Sequence, residues 1–173
     1  MTLSDDSIPS YTFEEILAKD GKLVYRTKGS SMKPMLKENR DLVIIQIPES
    51  RLKKHDVALY KRGNSYVLHR VIDVKSDHYL IRGDNTYSLE SIPDKAVIGV
   101  LKSFQRNGHR HDVSEIGYQI YTHFWQAIYP LRFFCFKIRH FLYLFVLGSS
   151  TGAPESTISD GISDISEDSS DIS

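Results

Sequence analysis

The chain has 173 residues, 40% of them hydrophobic and 25% charged, which is typical of one globular domain with short appendages. Its 22 basic and 22 acidic residues cancel, but six of the acids lie in 149–173, so residues 1–148 hold 22 bases against 16 acids. This excess is compatible with ordinary solubility or with attraction to an anionic lipid surface, and the single cysteine, Cys135, excludes an internal disulfide.

The N-terminal residues 1–10 are polar and contain neither a basic segment nor an apolar stretch. We therefore expect a flexible N-terminus with no cleavable signal and no membrane span before the next element. Thr12 and Glu15 then have the spacing of a capping box, which predicts a short helix over 13–19. Gly21 allows the left-handed turn that ends such a helix.

Short segments rich in Val, Ile, Leu and Tyr follow, and turn residues separate them. They predict strands over 22–27, 42–47, 57–61, 66–73, 79–82 and 96–104. Because no long helix intervenes, we expect a mainly β domain built on a coiled antiparallel sheet, covering 11–112 with its first helix. His109 and His111 have no cysteine or carboxylate cluster nearby, so we expect loop residues there and no metal site.

Residues 117–148 are strongly enriched in aromatic side chains and should form an amphipathic helical segment beginning or kinking at Pro130. One helical face is apolar and the other basic: Leu131, Phe134, Ile138 and Phe141 against Arg132, Lys137 and Arg139. Three permanent charges argue against a spanning helix, since each costs about 2.5–3.5 kcal/mol at the bilayer centre. We expect the helix to lie in a membrane interface, or else to dock on the β domain or a partner chain.

The remaining residues, 149–173, form an acidic, Ser-rich, low-complexity tail. This composition does not bury enough apolar surface to offset the entropy of ordering, so the tail is predicted to be disordered.

A small-residue turn, Gly29-Ser30-Ser31-Met32-Lys33-Pro34-Met35-Leu36, follows the first predicted strand. A serine in such a turn can present its hydroxyl at a strand end, beside backbone N–H groups that can bind an oxyanion. Pro34 stiffens the turn, and Met32 offers an adaptable apolar lining for a substrate. Gly29 permits close approach of a substrate backbone. Taken alone, a Gly-Ser-Ser sequence is more often an ordinary turn.

His69 is the candidate base for such a serine. It lies on a predicted strand on which Val67 and Val71 share its face. An apolar flank disfavours imidazolium and keeps the ring neutral, which is the form that a general base requires.

Asp84, in Gly83-Asp84-Asn85, is the third candidate. Its carboxylate could orient the imidazole of His69 and stabilise its charged form, or could simply cap its own turn. Arg70 and Arg82 are possible ion-pair partners of Asp84 or of Asp56, with structural roles.

In order and spacing these three blocks resemble type I signal peptidases, in the branch that uses histidine where most bacterial enzymes use lysine. The matching residues are Gly29-x-Ser31-Met32-x-Pro34, Leu68-His69-Arg70-Val71-Ile72 and Gly83-Asp84-Asn85, within a resemblance that covers about 24–104. The resemblance implies a serine endopeptidase without a cofactor, in which Ser31 is the nucleophile, His69 the general base and Asp84 its support. It also implies an extended peptide substrate with small residues before the cut, and no nucleic-acid partner.

The turn departs from the family at Gly29, where many members have a second serine that binds the oxyanion; Ser30 occupies the next position. The Ser31 N–H could serve instead, as in the related self-cleaving repressors, although losing one oxyanion donor costs about 100-fold or more in rate elsewhere. A repressor itself is disfavoured, since there is no helix-turn-helix segment and no lysine at position 69. Two alternatives stay open: a specialised maturation peptidase for a small peptide, and a non-catalytic domain that binds peptide or membrane.

Overall fold

The structure is a computed structural model that describes residues 11–149, without the side chains of residues 140 and 145–149. The predicted flexible N-terminus and nearly all of the predicted disordered tail lie outside the described residues. The chain divides into two units, one ending at Phe133 and the other beginning at Phe134.

Helix α1, Phe13–Asp20, begins and ends where the sequence predicts. Both capping-box bonds form: Glu15 N–H donates to Thr12 Oγ1 at 3.2 Å, and Thr12 N–H donates to Glu15 Oε2 at 2.8 Å. Gly21 adopts a left-handed conformation with φ 68° and closes the last turn onto the Leu17 carbonyl.

A single antiparallel sheet of eight strands dominates the first unit, which confirms the mainly β prediction. Its strands are β1 Lys22–Arg26, β2 Leu42–Gln46, β3 Val57–Arg62, β4 Ser65–Val74, β5 His78–Arg82, β6 Glu90–Pro93, β7 Val97–Arg106 and β8 His109–Asp112. Their order is β1-β2-β7-β3-β4-β5-β6, with β8 paired to β7.

The sequence analysis missed strands β6 and β8. Strand β8 corrects the expectation that His109 and His111 lie in a loop. Its hairpin turns at Asn107 and Gly108, which both have positive φ angles of 51° and 82°, and Asn-Gly is the strongest short hairpin signal. Among the described residues, no group of three or more His, Cys, Asp or Glu side chains could hold a metal ion.

Strand β3 is buried on both faces, and this places the site beside two apolar clusters. Val57 and Leu59 belong to one cluster, with Leu17, Met32, Met35 and Leu36, whereas Ala58 and Tyr60 belong to the other, with Val71 and Ile81. The alternation follows from the period of two along a strand.

Two helices end the described chain, α2 over Ile116–Ala127 and α3 over Tyr129–Ser149. The predicted segment 117–148 is thus helical but divided at Ile128. No described helix is long and apolar enough to cross a membrane.

Candidate active site

Ser31 and His69 both lie close to Gly83. A methyl group placed on Gly83 would be 3.1 Å from His69 Nε2, 3.1 Å from Ser31 Cβ and 2.7 Å from the Ser31 carbonyl oxygen. Nε2 and Ser31 Cβ are therefore no further apart than twice 3.1 Å. Between the described side chains, no hydrogen bond joins Ser31 Oγ to His69.

Three elements create this meeting point. The turn after β1 carries Ser31, strand β4 carries His69, and Gly83 follows the last residue of β5. The Asn85 N–H donates to the Ser31 carbonyl at 2.7 Å, and its side-chain amide donates to the Ser30 carbonyl at 3.3 Å. The Gly83–Asn85 loop is thereby bonded directly to the serine turn.

His69 is buried, and Tyr60 and Glu90 surround its other ring nitrogen. His69 Nδ1 lies 3.4 Å from the Tyr60 hydroxyl and 3.5 Å from Glu90 Oε1. Because Tyr60 donates its own proton to Glu90 at 2.8 Å, its oxygen is free to accept from Nδ1–H. This network favours the tautomer with the proton on Nδ1, which leaves the lone pair of Nε2 facing the serine turn.

The neutral form of His69 is favoured electrostatically. Burial lowers the pKa of His69 below its usual value, and the charge of Arg62 adds to this, whereas Glu90 and Asp84 oppose it. A buried neutral imidazole at pH 7 agrees with the sequence-based expectation for this residue.

The structure does not form the predicted contact between Asp84 and His69. Arg70 instead donates from Nε to Asp84 Oδ1 at 2.8 Å and from NH2 to Oδ2 at 2.7 Å, with both side chains fully buried. Tyr121 and Gln126 add bonds to the same carboxylate at 3.2 and 3.4 Å. The bidentate geometry of a guanidinium and the cost of an unpaired buried charge explain this choice of partner.

The other predicted site residues have different surroundings. The Gly29 N–H is occupied, since it donates to Glu38 Oε1 at 3.0 Å. Ser30 is exposed, and Met32 is buried in the first apolar cluster. The Ser31 N–H has no hydrogen-bond partner among the described residues, so this group, rather than Gly29 N–H, is available to an oxyanion.

A cavity of about 690 Å³ borders both Ser31 and His69. This volume is within the range of ligand sites. Apolar side chains from α1, the sheet and the serine turn form most of its wall: Phe13, Leu23, Tyr25, Met32, Leu36, Val43, Ile45, Leu59 and Leu68. Thr27, Ser65 and Glu90 add polar groups to the lining.

Sequence reasoning missed Tyr60 and Glu90. Tyr60 could have been found from the hairpin: a tight Gly63-Asn64 turn sets Ala58 opposite His69, which makes Tyr60 its diagonal neighbour on the same face. Glu90 had no such local signal, because β6 is short and its pairing with β5 is not evident from the sequence.

No protein-family model matches the chain, and no curated protein matches it. Its function is therefore inferred from the residues and geometry of this site.

Proposed function

We propose that this protein is a serine endopeptidase of the signal peptidase type, with Ser31 as the nucleophile and His69 as the general base. The observation that supports this most directly is that a Cβ atom on Gly83 would lie 3.1 Å from both Ser31 Cβ and His69 Nε2, so the two side chains are close to each other. A modest local movement of the turn would bring Oγ within hydrogen-bond reach of Nε2, as is common when a substrate binds.

The proposed reaction has two stages. Ser31 Oγ attacks the scissile carbonyl while its proton passes to His69 Nε2, and the Ser31 N–H stabilises the oxyanion. The C–N bond then breaks, and His69 returns the proton to the departing amine. Water hydrolyses the acyl-enzyme with the same base, which restores the serine.

The proposed substrate is an extended leader peptide with small residues before the cut, bound along the cavity beside Ser31. The resemblance to signal peptidases supplies the small residues, and the cavity that borders Ser31 supplies room for an extended chain. A specialised maturation peptidase would share this chemistry and differ only in its substrate.

Covalent labelling tests the nucleophile without a known substrate. A fluorophosphonate probe should attach to Ser31 in the native chain, as located by peptide mass spectrometry. Ser31→Ala and His69→Ala should abolish labelling, whereas Ser30→Ala should retain it. Labelling that persists in Ser31→Ala would show that Ser31 is not the nucleophile. A native protein that is neither labelled nor able to cleave a leader peptide would support the non-catalytic alternative.

We also propose that the helices attach the protein to an anionic lipid surface. No Asp or Glu occurs between residues 116 and 149, whereas Lys137 and Arg139 are basic. On α2, an outward stripe at a spacing of four residues is highly exposed: Ile116, Ile120 and Phe124. On α3, the exposed apolar side chains include Leu131, Phe134, Ile138, Phe141 and Leu142.

Such surfaces are typical of helices that lie in a lipid interface and contact its headgroups through basic side chains. The protein should sediment with vesicles containing phosphatidylglycerol, more weakly with phosphatidylcholine alone, and less as salt increases. Ile120→Glu with Phe124→Glu should reduce binding. Equal sedimentation of this variant, or equal binding to both vesicles, would contradict the proposal.

A further inference from the structure

Helix α2 presents its polar side chains inward, toward a buried ion pair. Tyr118 and Thr122 accept hydrogen bonds from Arg70 NH1 at 3.0 and 3.3 Å. From the same helix, Tyr121 donates to the Asp84 carboxylate at 3.2 Å, and the Gln126 side-chain amide donates to it at 3.4 Å. The inward face therefore contributes hydrogen bonds to Arg70 and Asp84 in addition to any apolar contact.

The backbone carbonyl of Asp84 receives two further bonds from the helices. Trp125 Nε1–H and Arg132 NH2 each donate to this oxygen at 2.9 Å. The guanidinium of Arg132 also lies over the indole of Trp125, 3.8 Å from the ring centroid. The carbonyl thus has both of its lone pairs occupied by side chains that also contact one another.

Asp84 connects these helices to the proposed catalytic residues. Its neighbour Gly83 lies close to both Ser31 and His69, and its other neighbour, Asn85, donates its N–H to the Ser31 carbonyl at 2.7 Å. Because the spacing around Gly83 leaves no room for a methyl group, a small displacement of this loop changes the approach of Ser31 to Nε2. The route from Trp125 to Ser31 passes through the single peptide unit that joins Asp84 and Asn85.

We propose that Trp125 and Arg132 are positioning residues of the Ser31–His69 site: by holding the Asp84 carbonyl, they fix the Gly83–Asn85 loop against the serine turn. This inference depends on the proposed serine chemistry for its effect on rate, but its effect on the loop is measurable independently. Neither residue touches the reacting atoms, and neither belongs to the blocks that resemble signal peptidases.

The test compares Trp125→Phe, Arg132→Leu and the double variant with the native chain. Trp125→Phe keeps an aromatic ring and removes the N–H donor, and Arg132→Lys keeps the charge and a single donor. Gln119→Leu is the matched control, since it removes an exposed side-chain donor of the same helix that binds the Val113 carbonyl and not the loop. Thermal unfolding of each variant reports any general loss of structure.

The first measurement is hydrogen exchange at the Asn85 amide, which needs no activity. In the double variant, exchange at Asn85 should accelerate at least tenfold, while amides in the β2–β7 pairing change by less than twofold. Unchanged exchange at Asn85, or equal acceleration across the sheet, would overturn the proposal.

The second measurement is the rate of Ser31 labelling by a fluorophosphonate. The double variant should label at least tenfold more slowly at a temperature where it is fully folded. Arg132→Lys should label faster than Arg132→Leu, and Gln119→Leu should keep the native rate. A native rate in the folded double variant would overturn the positioning role. If the native chain is not labelled at all, the serine chemistry fails, and exchange at Asn85 alone decides whether the helices hold the loop.

Discussion

His69 Nδ1 lies 3.5 Å from Glu90 Oε1, on the opposite side of the ring from the nitrogen that approaches Ser31. Glu90 therefore occupies the position that the sequence analysis gave to Asp84. Tyr60, which donates its hydroxyl proton to Glu90 at 2.8 Å, places a second acceptor oxygen beside the same ring nitrogen of His69. In the proposed mechanism, Glu90 is the carboxylate that stabilises the charged imidazole.

Glu90→Gln should change the pH dependence of Ser31 labelling. The charge of Glu90 raises the pKa of His69, so its removal should lower that pKa further and shift the acid limb of the rate profile to lower pH. The plateau rate should fall roughly 10- to 100-fold, a part of the roughly 10²–10⁴ that general acid–base catalysis contributes. Labelling rates between pH 5 and 9 measure both effects.

The control for this variant is Glu49→Gln, which neutralises an exposed carboxylate elsewhere. Asp84→Asn offers a useful contrast, because it should mainly reduce stability. An acid limb that moves in Asp84→Asn and stays fixed in Glu90→Gln would show that the assignment to Glu90 is wrong.

Gly83→Ala should separate the serine from its base. The added methyl group would meet the Ser31 carbonyl oxygen at 2.7 Å, a distance that requires the turn or the loop to move. We expect labelling of Ser31 to fall by at least tenfold while the protein stays folded, as checked by labelling rate and thermal unfolding together. Gly117→Ala is the matched control, because a methyl group there meets nothing within 4 Å. Equal labelling in both variants would contradict the proposed geometry.

Short-range sequence patterns predicted the elements whose formation depends on neighbouring residues, namely helix α1 and most of the strands. Helix α1 follows from the Thr12–Glu15 capping box and from Gly21, and the alternating strands follow from their apolar periodicity. The hairpin β7–β8 was also predictable, since Asn107-Gly108 is a strong turn signal that the His109 and His111 pair obscured.

Contacts between distant segments decide what the sequence left open or did not predict. Arg70 and Asp84 are 14 residues apart, and the carboxylate has potential partners in both Arg70 and His69. Burial of both charges decides in favour of the bidentate pair. The inward polar face of α2 was not predicted for a similar reason, because its aromatic residues resemble an apolar surface in the sequence. The Tyr121 hydroxyl and the Trp125 indole N–H in fact donate hydrogen bonds to Asp84.

Breaking the buried ion pair should strongly destabilise the protein. Asp84→Ala leaves the Arg70 guanidinium uncompensated, and the expected loss is about 3–5 kcal/mol in the free energy of unfolding. The exposed pair Lys75–Asp73 is the control, since solvent screens it and Asp73→Ala should cost far less stability. Urea denaturation measures both, and a loss at Asp84 no larger than that at Asp73 would contradict the structure.

The protein should be less stable at pH 5.5 than at pH 7.5, because burial lowers the pKa of both His69 and His55 in the folded state. Below their usual pKa the unfolded chain binds more protons than the folded one, so the stability present above about pH 6.5 declines as the pH falls toward the folded-state values. At His55 the nearby charges of His123, Lys54 and Arg70 add to burial, while Asp56 opposes them. Carboxylates with ordinary pKa values near 4 stay ionised in this window.

His55→Asn tests this pH dependence of stability at the histidine that lies outside the proposed active site. Asparagine tolerates the positive φ of 81° at this position, and the change removes a buried Nδ1 that has no hydrogen-bond partner within the described residues. The free energy of unfolding, measured in urea at pH 7.5 and pH 5.5, should therefore differ less in His55→Asn than in the native chain. Lys53→Gln, an exposed neighbour, should keep the native difference. An identical difference in unfolding free energy in His55→Asn and in the native chain would contradict this prediction. It would mean that His55 takes up a proton in the folded state as readily as in the unfolded chain, although its ring lies against that of His123, with the centroids 4.8 Å apart.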